Sequence, residues 1–113
     1  MTKVFAEKKG GYFTLILYGH ATGSEEVCTA ISSIVYALAG YLKNFEDEKA
    51  EKQPAIELKS GFSSFRFSGK GAESAYDMAV IGLMQLANQY PEFIQFEKNK
   101  NFLDFRGANE KEL

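Results

Sequence analysis

His20 and Cys28 are the only histidine and the only cysteine among 113 residues, and eight positions separate them. Cysteine attacks as a thiolate. A free thiol of pKa about 8.5 is only a few per cent ionised near neutrality, so a neighbouring imidazole that takes the proton is the natural activator. With an ordinary pKa of about 6.5, imidazole can then return a proton to a leaving amine at neutral pH. The pair points to covalent hydrolysis of an acyl bond, provided the fold brings the two side chains together. The plainer reading of the same residues is a structural thiol beside a strand-end histidine, free cysteine being among the most buried residue types.

The residues around the pair extend the first reading. At helical spacing Glu25, Cys28 and Ser32 share a face, in steps of three and four. Glu25 is placed to orient His20 or balance its charge, Ser32 to hydrogen-bond sulfur or substrate, and the first backbone N–H groups of a helix to stabilise an oxyanion. The plainer alternative is a surface Glu and a Ser bonded to the carbonyl four residues back. A helix N-terminus favours an anion by only about 0.3–1 kcal/mol, and Glu25 and Glu26 work against a second negative charge nearby. The imidazole has to supply the balance.

The elements that position these groups follow from periodicity. Val4 and Ala6 alternate along a first strand, Gly10-Gly11 supplies a turn, and Tyr12 to Tyr18 forms a second strand. Phe13, Leu15 and Leu17 line one side of it while Tyr12, Thr14, Ile16 and Tyr18 line the other, which predicts a strand that is central or covered on both faces. From Ser24 to about Lys43 the apolar residues Val27, Ile31, Ile34, Val35, Leu38, Ala39 and Leu42 recur at helical steps. Thr22 with Glu25 forms a capping box, and Ser24 competes as N-cap two residues on. Asn44 to Gln53 reads as a solvated connector. Ile56 and Leu58, the Ser60-Gly61 turn and Phe62 to Phe67 make a second hairpin, with Phe65 and Phe67 inward and Arg66 facing solvent.

A second helix opens at Ser68-Gly69-Lys70-Gly71 with the stripe Tyr76, Ala79, Val80, Leu83, Leu86, Ala87 and Tyr90, and Pro91 stops it. Phe93 to Glu97 is a last strand, with Ile94 and Phe96 on one face. The tail from Asn99 carries Phe102, Leu103 and Phe105 as a short docking element. The order ββαββαβ predicts a two-layer α+β fold, a mostly antiparallel sheet of about five strands with two helices, in a single domain over 1–113. Exposed aromatic strand faces leave room for a homodimer.

Composition excludes several classes. Hydrophobic residues make up 45% of the chain, with ten Phe and six Tyr, which suits a packed core rather than disorder. The net charge of −2 comes with scattered Lys and Arg, so no basic stripe tracks a nucleic-acid backbone. The richest apolar run, Ile31 to Leu42, is broken by Ser32, Ser33 and Gly40 and falls short of a membrane span. One cysteine makes no intrachain disulfide, and Met1-Thr2-Lys3-Val4 lacks the apolar stretch of a secretory signal, so the expected compartment is the cytoplasm. A structural zinc site needs about four Cys or His ligands. Gly69-Lys70-Gly71 lacks the spacing and the Ser or Thr of a phosphate loop. No metal and no cofactor is expected.

Taken together, Gly19-His20-Ala21, the glycine-containing loop, Val27-Cys28 and Ala30-Ile31-Ser32 resemble the signature of the ribosomal-processing cysteine protease family Prp. The resemblance implies an endopeptidase with His20 and Cys28 as its dyad. Gly19 and Ser32 match the family positions beside them, and Glu25 stands in place of the usual aspartate. It also implies a cytoplasmic homodimer that trims the N-terminal extension of large-subunit ribosomal protein twenty-seven. The loop between His20 and Cys28 is shorter than is usual in the family, which suits a different target such as a phage structural protein. The alternative is a non-catalytic module that binds a ribosomal or phage partner on the same scaffold.

Overall fold

The computed structural model describes residues 1–45 and 53–97. Most of the connector at Asn44 to Gln53, and the tail with Phe102, Leu103 and Phe105, lie outside the described residues. The described elements are β1 (Thr2–Lys9), β2 (Tyr12–Tyr18), α1 (Glu25–Asn44), β3 (Ala55–Lys59), β4 (Phe62–Ser68), α2 (Lys70–Gln89) and β5 (Ile94–Phe96). The strands form one sheet in the order β3-β4-β2-β1-β5. β1–β2, β2–β4 and β3–β4 pair antiparallel, and β5 joins β1 in parallel. This is the α+β architecture expected from the element order.

The two hairpins close through two-residue turns, Gly10-Gly11 between Lys9 and Tyr12 and Ser60-Gly61 between Lys59 and Phe62. Gly10 and Gly11 both have positive φ (61° and 80°), the geometry that matches the strand twist and that glycine adopts without penalty. Both helices lie on the same face of the sheet. Under them Val4, Ala6, Phe13, Leu15, Leu17, Phe65, Phe67 and Ile94 meet the α1 stripe Val27, Ile31, Val35, Leu38 and Leu42 and the α2 residues Tyr76, Val80 and Leu83, all buried. Phe13, Phe67 and Tyr76 form a ring cluster with centroids 5.5–6.0 Å apart. The Tyr76 hydroxyl donates to the Thr14 carbonyl at 3.2 Å, which keeps its polar end satisfied in the core.

β2 is the middle strand of the five, as one of the two readings of its apolar faces predicted, and its second face is the open one. No described element covers it: Tyr12, Thr14 and Ile16 are half-buried and Tyr18 is exposed. Cross-strand neighbours shield these residues instead. In register, Ile16 stands between Phe5 and Ser64, and the Arg66 guanidinium lies 4.9 Å from the centre of the Tyr12 ring. β5 is also shorter than predicted, three residues from Ile94 to Phe96.

Candidate active site

β2 ends at Tyr18, and the chain turns through Gly19, whose φ of +89° places it in the left-handed region. A side chain there would also run into the Met1 carbonyl oxygen, so both conformation and space require glycine. Three hydrogen bonds hold this corner. The Gly19 N–H donates to the Gly61 carbonyl at 2.9 Å, the Thr2 hydroxyl donates to the Gly19 carbonyl at 3.3 Å, and the Met1 ammonium donates to the His20 carbonyl at 2.5 Å. The backbone of His20 is therefore fixed while its imidazole stands exposed.

Ala21 is buried and anchors the loop, its carbonyl accepting from the Ser24 N–H at 3.2 Å. Ser24 settles the capping question left open by the sequence. It is extended, with φ −140° and ψ 104°, and its hydroxyl accepts from the Val27 N–H at 3.2 Å, which makes it the N-cap of α1. Cys28 then falls in the first turns of the helix, half-buried against the core edge as a free thiol. Its Sγ lies 3.4 Å from the Ala21 carbonyl oxygen and hydrogen-bonds there, to backbone rather than to imidazole.

An open cleft of about 490 Å³ runs from this corner between α1 and the β3–β4 turn. His20, Cys28, Ser32 and Gly19 all line it, and Glu25 does not. The cleft extends from Cys28 along α1 toward Ser32 and Tyr36, so a residue one turn before Cys28 projects past its end; Glu25 is exposed there. Ser32 is exposed, and it is Ser33 whose hydroxyl bonds the carbonyl four residues back, that of Thr29 at 2.9 Å.

Three parts of the cleft escaped the sequence reading. Tyr36 continues the Cys28–Ser32 line at a further step of four and is strongly exposed, at 67%; that spacing was available in the sequence. Thr2 and the Leu58 to Ser63 turn arrive through tertiary structure and leave no local signal. Lys59, at the cleft rim, pairs with Glu57 at 2.6 Å, and hydrogen bonding to that carboxylate holds its ammonium pKa above the ordinary lysine range. Among the described residues no group of three or more His, Cys, Asp or Glu is placed to hold a metal ion. No helix among them is long and apolar enough to cross a membrane.

A family model described as cysteine protease Prp matches residues 1–95. Solved structures share the fold at low identity. An essential ribosomal processing protease Prp from S. aureus, in complex with a covalently linked product peptide, has a TM-score of 0.72 at 18% identity, covering 88% of this chain and 100% of that one. The same protease with a substrate peptide gives 0.66 at 17%, with the same coverage. SMU.848 from Streptococcus mutans gives 0.64 at 19%, covering 86% and 92%. A comparison with curated proteins finds no match.

Proposed function

The chain belongs to the cysteine protease Prp family, and on that premise we propose that it is an endopeptidase in which Cys28 is the nucleophile and His20 the base and acid. The observation that carries this reading is the opening of both side chains into one cleft at the strand-to-helix corner. His20 takes the thiol proton, and the Cys28 sulfur bonds to the scissile carbonyl carbon. The imidazolium then gives its proton to the amine nitrogen as the C–N bond breaks. Water, deprotonated by the same imidazole, hydrolyses the thioester and frees the sulfur. Ser32 and Gly19 flank the reacting groups as substrate contacts. Release of the S–H from the Ala21 carbonyl accompanies activation. Glu25, outside the cleft, acts on the site only at a distance, where its charge favours the imidazolium and opposes the thiolate.

The substrate we propose is a peptide segment, and specifically the N-terminal extension of large-subunit ribosomal protein twenty-seven, with a phage structural protein as the other candidate. Two supports are the peptide complexes of the S. aureus relative and the length of the cleft. The cytoplasm is the compartment this role requires. The open sheet face bearing Tyr12 and Tyr18 leaves room for the homodimer that family likeness implies, and sedimentation equilibrium reads that state directly. Incubation of wild type, Cys28→Ser and His20→Ala with the extended ribosomal protein, followed by intact mass, tests the assignment; cleavage undiminished in either variant rejects its role. The Cys28–Ala21 hydrogen bond favours a second reading, a module that binds its partner without cutting it. Equal partner binding by wild type and Cys28→Ser, with no product from either, would establish that reading.

A further inference from the structure

We propose that Gly61 is a positioning residue for the His20 imidazole: the bare turn between β3 and β4 supplies the gap that the ring fills. This rests on the reading of His20 as base and acid. A Cβ at Gly61 would lie 2.6 Å from His20 Nε2, 3.1 Å from Cε1 and 3.2 Å from Cδ2. The outer end of the ring is thus aimed at the turn and touches it. The turn is tethered to the end of β2, because the Gly61 carbonyl accepts the Gly19 N–H at 2.9 Å. The imidazole, exposed on its solvent side, is what gives way. A displacement of about 1 Å in a reacting group costs on the order of 100-fold in rate.

The fold contains its own control. Gly11 and Gly61 occupy the second position of two-residue hairpin turns, with φ of +80° and +72°. A Cβ at Gly11 has nothing within 4 Å. Alanine therefore imposes similar backbone strain at both sites, and only at 61 does it meet the ring. Gly61→Asn repeats the test with less strain, since Asn tolerates positive φ while carrying the same Cβ.

The experiment compares tag-free wild type, Gly11→Ala, Gly61→Ala and Gly61→Asn. Their melting temperatures, their kcat and KM on a peptide carrying the ribosomal-protein extension, and the NMR signal of the imidazole are measured. One histidine in the chain gives one set of ring resonances. The expected result is a similar loss of thermal stability in the two alanine variants. Both position 61 variants should lose about 10- to 100-fold in kcat, more than any change in KM, with a displaced His20 resonance; Gly11→Ala should change neither. A His20 spectrum unmoved by the position 61 variants overturns the proposal, and so does a kcat within threefold of Gly11→Ala. If wild type fails to cut the peptide, the ribosomal-protein substrate falls, and the spectrum alone decides whether Gly61 places the ring.

Discussion

Removing the Ser24 hydroxyl tests how Cys28 is held. Its oxygen accepts from Val27 N–H, while its backbone N–H donates to Ala21 and its carbonyl accepts from Cys28 N–H, each at 3.2 Å. Ser24→Ala deletes only the first of these bonds and should cost about 1 kcal/mol, the usual worth of an N-cap. An unfolding entropy of about 2.1 cal/mol/K per residue gives roughly 240 cal/mol/K for a chain this long, so 1 kcal/mol lowers Tm by about 4 °C. Thr22, the competing cap in the sequence, is exposed and makes no side-chain hydrogen bond among the described residues; Thr22→Ala should stay within about 0.5 kcal/mol of wild type. Ser24→Asp should recover the loss, because Asp caps equally well and its charge suits a helix start. Calorimetry measures all three. A second readout is Cys28 itself: if alkylation proceeds through opening of the first helical turn, Ser24→Ala speeds it by up to about fivefold. A Thr22→Ala loss equal to that of Ser24→Ala would refute the capping argument, as would failure of Asp to restore stability.

Gly40 lies inside α1, where an added methyl group would have nothing within 4 Å, so Gly40→Ala should stabilise by about 0.5–1 kcal/mol. Gly82→Ala should gain less in the same thermal melts, because its methyl would sit 3.1 Å from Ile34 Cδ1 where the helices touch; equal gains would show that this contact is slack. Above pH 10 stability should fall. Burial opposes the charge of Lys8, but hydrogen bonds to Asp77 and Glu73 outweigh it and raise its pKa, while burial and then the charge of Asp77 push the Tyr76 phenol above its usual value. Both groups keep their protons in the folded state at pH values where the unfolded chain sheds them. Their contribution is therefore complete below about pH 10 and is lost on further rise. Urea melts across this range should show the decline, shallower in Lys8→Met; an unaltered slope in that variant contradicts the Lys8 assignment. Inserting two glycines after Ser60 costs little in loop closure but releases the Gly61 carbonyl from Gly19. Tm should hold within about 3 °C while peptide cleavage is lost, and full activity would show that the turn has no part in the site.

Periodicity made most of the scaffold legible. Phe65 and Phe67 alternate with polar neighbours and are buried, and Val27 to Leu42 repeats with the helical period and faces the sheet. Two apolar faces made β2 legible as a central strand, which it is, but not whether a second layer covers it, because the side chains that cover one another across strands, Phe5 beside Ile16 and Arg66 over Tyr12, are of the same types that a second packed layer would require. At the site, local spacing correctly grouped Cys28 with Ser32 but also included Glu25, since helical periodicity places residues on a face without saying where a cleft along that face stops. Gly61 was legible only as a turn residue. Its contact with His20 joins positions 41 apart in the chain and depends on strand register, which no local pattern encodes.

That register also explains why the chemistry sits where it does. β2 and β3 are each antiparallel to β4 and so run parallel to one another, and Tyr18, Phe62 and Lys59 stand in one cross-strand row. The end of β2 and the turn leaving β3 are therefore forced to the same edge of the sheet. α1 starts from the end of β2 and begins its first turn at that edge, while the start of β1, paired Lys3 to Tyr18, brings Thr2 there as well. Four segments thus converge, two of them, the end of β2 and the start of α1, joined directly by residues 19–24. The price of so short a connection is that the Ala21 carbonyl lies against the Cys28 sulfur. A hydrogen bond of this kind is worth on the order of 1 kcal/mol, so contacts made by a bound peptide are ample to displace it. Substrate can therefore bring the sulfur into play by displacing this one contact, while the hydrogen-bonded backbone of Gly19 and His20 stays in place.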